Sequence, residues 1–116
     1  MRSPSRLLAL ALALIALAAC GAPPERRLDL TVTAAGYSPG RLEARAGEQL
    51  FIRLKNEDSV AHSLTVDLPS GSRTVSVNDG VDAILALALQ EPGTFRMYCT
   101  VPGHTEQGEL VVLPAQ

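Results

Sequence analysis

Between residues 28 and 113 the chain is a succession of short runs in which apolar and polar positions alternate. In "LDLTVTA", residues 28 to 34, Leu28, Leu30, Val32 and Ala34 share one face. In "QLFIRLKN", residues 49 to 56, Leu50, Ile52 and Leu54 stand against Gln49, Arg53 and Lys55. A period of two predicts half-buried strands. The same reading applies to residues 41–44, 63–68, 73–77, 83–89, 94–99 and 108–113, separated by turn signals at "YSPG", "AGE", "LPSGS", "NDG" and "EPG". The stretch "VDAILALALQ" has helical composition, but its length and flanking turns predict a strand buried on both faces. About eight strands in one unit, residues 28–116, predict an all-β fold, a Greek-key β-sandwich around a single small core.

The first 19 residues follow a different pattern. Arg2 and Arg6 precede an unbroken Leu/Ala/Ile run and small residues, the order of a secretory signal peptide. The run from Leu7 to Ala19 is shorter than the roughly 20 apolar residues a membrane span needs. Leu17-Ala18-Ala19-Cys20 resembles a bacterial lipobox, which implies cleavage before Cys20 and acylation of its sulfur. Residues 20–27, with Pro23 and Pro24, read as the acylated cysteine and an extended linker. The expected location is a bacterial cell envelope, lipid-anchored, on the periplasmic or extracytoplasmic face of a membrane.

Charge narrows the list of partners. Loss of Arg2 and Arg6 with the leader leaves eight basic residues against twelve acidic ones, a balance of −4 with histidine neutral. Nothing resembles a basic patch, so nucleic acid is not expected as a partner. No paired catalytic carboxylates, Ser-His-Asp pattern or phosphate loop is visible, and an enzyme is not expected.

With Cys20 acylated, Cys99 is left without an intramolecular partner in a compartment that favours disulfides. An odd cysteine there points to intermolecular pairing, a reactive thiol or a metal ligand. The only two histidines are His62 and His104, and His104 follows Cys99 by five residues across a Pro-Gly turn. Alternation in "TFRMYC" puts Phe95, Met97 and Cys99 on one face, at the inner end of a strand. His62 follows "QLFIRLKN" after a short connection, so it too falls near a strand end. Two imidazoles and a thiolate are the trigonal set of electron-transfer copper sites, completed by a weak axial ligand. The same donors with a carboxylate also suit tetrahedral zinc, the less favoured metal.

From about Leu28 to Leu113 the chain resembles a cupredoxin of the plastocyanin/azurin type. The resemblance rests on "LEARAGEQLFIRLKNEDSVAHSLTVD", "EPGTFRMYC" and "CTVPGH". It implies one copper ion, Cu(I)/Cu(II), bound by His62, Cys99 and His104, and a hydrogen bond from the Ser63 backbone N–H to the Cys99 sulfur. It also implies that Val101 and Pro102 form a docking patch, while Asn56 and Asp58 read as structural residues that order the loop before His62 with no direct chemistry.

One position departs from the pattern. Family members usually carry an axial methionine five residues beyond the second histidine; here Glu109 stands there. Either Glu109 is a substituted axial ligand, or Gly108-Glu109-Leu110 starts the last strand and the methionine is deleted. Met97 is on the face of Cys99 but reads as core filling. A binuclear copper centre would need a second cysteine in the loop, and none is present. The expected function is a monomeric, lipid-anchored single-electron carrier serving a redox partner such as a cytochrome or copper enzyme. Copper storage or delivery, and an open copper site reacting with a small ligand, are the alternatives that the missing methionine raises.

Overall fold

The computed structural model describes residues 21–116; the signal peptide expected over residues 1–19 and the expected acylation site Cys20 lie outside the described residues. The described chain forms nine strands and no helix. They are β1 (Glu25–Thr33), β2 (Gly36–Ser38), β3 (Arg41–Arg45), β4 (Gln49–Asn56), β5 (His62–Leu68), β6 (Gly71–Val77), β7 (Asp82–Ala88), β8 (Gly93–Tyr98) and β9 (Gln107–Leu113). One sheet has the order β2-β1-β4-β7 and the other β3-β9-β8-β5-β6. The β1–β4 and β3–β9 pairs are parallel and the rest antiparallel, giving the Greek-key sandwich that the alternation predicts.

Register explains the core. Leu30 is opposite Leu54, Ile52 opposite Leu85 and Leu50 opposite Leu87, so the inward positions of the first sheet coincide across strands. In the second sheet Leu42 and Phe95 flank Leu110, Val66 pairs with Met97, and Leu64 with Val75. Leu30, Leu50, Ile52, Leu54, Leu64, Val66, Met97 and Leu110 are fully buried. Each such side chain contributes roughly 1.5–3 kcal/mol of apolar transfer, which is why a one-residue slip in any strand would be costly.

Three elements differ from the expectation. β1 starts at Glu25, so the linker expected over residues 20–27 gives way to a strand three residues before Leu28. The parallel ladder to Gln49–Phe51 extends it, helped by an Arg26–Glu48 ion pair at 3.0 Å and by Arg27 stacked 4.8 Å from the Phe51 ring centroid. β7 is buried on one face only: Leu85 and Leu87 point inward while Ile84 is 57% exposed, because a two-layer sandwich covers only the inner face of each sheet. "YSPG" supplies a short strand as well as a turn, and Tyr37 within it is buried.

Candidate metal centre

The end of the sandwich where β5 starts and β8 stops carries the site. His62 is the first residue of β5 and pairs with Val77, the last of β6. The loop that delivers it is held by Asn56, which is buried at the end of β4. Its side-chain amide donates to the carbonyls of Val60 at 2.8 Å and Asn78 at 3.0 Å, and its Oδ1 accepts from the Asp58 N–H at 2.9 Å. The Asn56 N–H donates to the Val81 carbonyl at 3.1 Å. One buried amide thereby ties the pre-histidine loop to the β6–β7 turn.

Asp58 does more than order that loop, contrary to the structural role expected of it. Its Oδ1 accepts from the Ser59 N–H at 2.7 Å, and its Oδ2 is 2.7 Å from His62 Nε2. The hydrogen bond from His62, followed by that from Ser59, holds the carboxyl below its usual range. An ionised carboxylate only accepts, so this contact is a hydrogen bond when Nε2 carries the proton, the tautomer that leaves the Nδ1 lone pair to face the site.

Cys99 follows the last residue of β8, and its N–H donates to the Glu106 carbonyl at 3.2 Å, closing the loop between them. Gly103, with φ of +81°, supplies the left-handed residue of the Pro-Gly turn. The His104 N–H then donates to the Val101 carbonyl at 3.0 Å, and the imidazole is brought back over the sulfur.

Four donor atoms converge, all within 4.8 Å of one another: one each from His62, Cys99, His104 and Glu106. The two histidine Nδ1 atoms are 3.2 Å apart, His104 Nδ1 is 3.7 Å from Cys99 Sγ, and Glu106 Oε2 is 3.5 Å from each Nδ1. Bonds of about 2.0–2.3 Å from a common tetrahedral centre separate ligands by roughly 3.3–3.8 Å, close to the 3.2–3.7 Å of these four pairs. Glu106 Oε2 is buried without a hydrogen-bond partner, an arrangement that is costly unless a cation satisfies it. The donor set fits one metal ion, and among divalent ions such a site binds copper most tightly.

The Ser63 hydroxyl donates to Cys99 Sγ at 3.5 Å, so the side chain makes the sulfur contact that the resemblance assigned to the Ser63 backbone N–H. Its oxygen accepts from the Thr100 N–H at 2.8 Å and lies 3.0 Å from Thr100 Oγ1, which fixes its direction. Behind it the Tyr37 hydroxyl donates to the Ser63 carbonyl. Burial, then the nearby Cys99 and Glu106, push the Tyr37 phenol well above its ordinary value.

Glu109 is not at the site. It is exposed in β9, opposite Arg96 and Arg41 on the neighbouring strands, and its N–H donates to the Gly40 carbonyl at 3.0 Å. Gly108-Glu109-Leu110 lie within β9, which spans Gln107–Leu113. Alternation alone orients Glu109, because Leu110 and Val112 must point inward. The carboxylate in the cluster is Glu106, which the motif count passed over; as the one acidic residue between Cys99 and β9 it carried a signal. Met97 is fully buried among core residues, with its Cε 3.0 Å from where a Cβ on Gly108 would lie.

Comparison with known proteins agrees with this geometry. The sequence model of the cupredoxin-like domain matches residues 6–112. Among curated proteins none matches the sequence. The fold is similar to that of a dithionite-reduced auracyanin from Roseiflexus castenholzii, with a TM-score of 0.69 at 13% identity over 76% of this chain and 97% of that one. It is also similar to auracyanin A, a "blue" copper protein from Chloroflexus aurantiacus, with a TM-score of 0.63 at 21% identity over 76% of this chain and 98% of that one.

Proposed function

This chain belongs to the cupredoxin-like domain family, and from that membership we propose that it is a single-electron carrier working outside the cytoplasm, tethered by a lipid on Cys20. Bound copper supplies a one-electron Cu(I)/Cu(II) couple. The observation that carries the reading is the convergence of His62 Nδ1, Cys99 Sγ, His104 Nδ1 and Glu106 Oε2, four donors of the right kind at metal-ligand spacing.

The chain's own residues account for the rest. Asn56, Asp58 and the Ser63–Thr100 contacts hold the ligand-bearing loops, so little rearrangement is asked of them when the charge of the site changes. The His62 ring is 1% exposed, whereas that of His104 is 22% exposed. His104 is therefore the ligand edge a redox protein can approach, beside Val101 and Pro102 of the same loop. Glu106 supplies a fourth donor although the usual methionine is missing, which weighs against an open site that reacts with small ligands and against ready copper exchange. The role is that of a carrier, not an enzyme.

The test is to add one equivalent of Cu(II) to the purified protein and record its optical and paramagnetic resonance spectra through a cycle of reduction and reoxidation. Intense thiolate-to-copper absorption that bleaches and returns supports the carrier. Absence of copper binding, or binding without reversible cycling, overturns it. Anchoring is tested separately: Cys20→Ala should release the protein from the membrane fraction, and an unchanged distribution would refute the lipid tether.

A further inference from the structure

His62 meets a second carboxylate on the side away from the cluster. Asp58 Oδ2 is 2.7 Å from Nε2, and the ring between is almost wholly buried, so water does not compete for that nitrogen. The direction of the carboxylate is set by the loop: the Asp58 N–H is bound by Asn56 Oδ1 and its Oδ1 by the Ser59 N–H. Asp58 is thus placed before His62 needs it, and the ring adapts to the carboxylate. The contact therefore does something the loop would not require for its own order.

We infer that Asp58 is a positioning residue of this centre, which turns the His62 Nδ1 lone pair toward the metal and biases bound copper toward Cu(II). The first half follows from hydrogen-bond inventory. A carboxylate accepts only, so the proton must reside on Nε2, and Nδ1 is left as the donor. The second half follows from charge. An imidazole that donates to an anion is a more basic ligand, and a more basic ligand in a site already carrying Cys99 and Glu106 favours the more highly charged metal. Replacing the carboxylate by an amide removes the charge and leaves one acceptor oxygen where the carboxylate uses two, toward the Ser59 N–H and toward His62; the tautomer and the potential are therefore read separately.

The redox half rests on the copper reading proposed above; the tautomer half does not. Long-range proton–nitrogen correlation of the metal-free protein reports which His62 nitrogen carries hydrogen. Nε2–H is expected in the wild type, with a mixture in Asp58→Asn and in Asp58→Ala; Nδ1–H in the wild type overturns the inference. In the copper-loaded protein Asp58→Asn should keep the thiolate-to-copper band. Its affinity for Cu(II) relative to Cu(I) should fall about tenfold, a rise in potential of about 59 mV. Asp58→Glu, which keeps the charge, should stay near the wild type. Equal potentials for wild type and Asp58→Asn overturn the redox half. If the wild type binds no copper, the electron-carrier reading fails, and the His62 tautomer still decides the role of Asp58.

Discussion

Glu106 Oε2 stands 3.5 Å from His62 Nδ1, buried and without a hydrogen-bond partner of its own. The same oxygen is equally far from His104 Nδ1, so the carboxylate stands between the two imidazole nitrogens as a fourth donor of the cluster. If it is a ligand, Glu106→Gln should weaken Cu(II) binding by at least the 10–100-fold typical of lost outer contacts to a metal site, and shift the thiolate-to-copper band. Glu109→Gln, on an exposed strand position facing Arg41 and Arg96, should leave both unchanged. Competitive titration of the two variants side by side separates the assignments.

Met97 offers the complementary control. It is a core residue wedged between Val66 and Gly108, and Leu has a similar volume. Met97→Leu should therefore cost less than about 1.5 kcal/mol in chemical denaturation and should leave the copper spectrum unaltered. A changed spectrum would bring the thioether into the site.

Asn56 joins three pieces of chain through one buried side chain. Asn56→Ala takes a partner from the Val60 carbonyl and the Asp58 N–H and leaves the Asn78 carbonyl only the Val81 N–H, at about 1–3 kcal/mol for any of these groups that water does not reach. Thermal unfolding should shift down by roughly 4–8 °C per kcal/mol for a domain of this size. Copper affinity should fall with it, because the same side chain fixes the loop that carries Asp58 and His62. Lower stability with unchanged affinity would mean that the loop is held by other contacts.

Tyr37 sets an alkaline limit on the fold. Its phenol is raised above 10.0 by burial first and then by Cys99 and Glu106, so the folded chain keeps the proton after the unfolded chain has lost it. The stabilisation is complete below about pH 10 and is lost as pH rises through the folded value. Tyr98, whose phenol donates to Asp67 at 3.0 Å, is raised as well and contributes in the same direction. Tyr37→Phe should lower stability at neutral pH by about 1 kcal/mol and flatten the decline above pH 10 without abolishing it. Denaturant melts at pH 8 and at pH 10.5 measure both effects; an unaltered slope would show that Tyr37 titrates normally.

The sequence by itself determined the sandwich, because the two-residue side-chain period is a local property that burial on one face makes visible in the order of residues. It also singled out His62, Cys99 and His104, which the structure brings together, since few cysteines and histidines exist and each falls beside a predicted strand end. The orientation of Glu109 was legible for the same reason, once Leu110 was assigned to the core. Glu106, Asp58 and the Ser63 hydroxyl were decided only by tertiary structure. They lie in or beside loops, where no period fixes the direction of a side chain, and their roles depend on where Asn56, Gly103 and the Cys99–Glu106 closure turn the backbone. The extent of β1 and the one-sided burial of β7 were likewise matters of neighbours. A strand's edge or central place is set by which strands pair with it, and that pairing is absent from any local pattern.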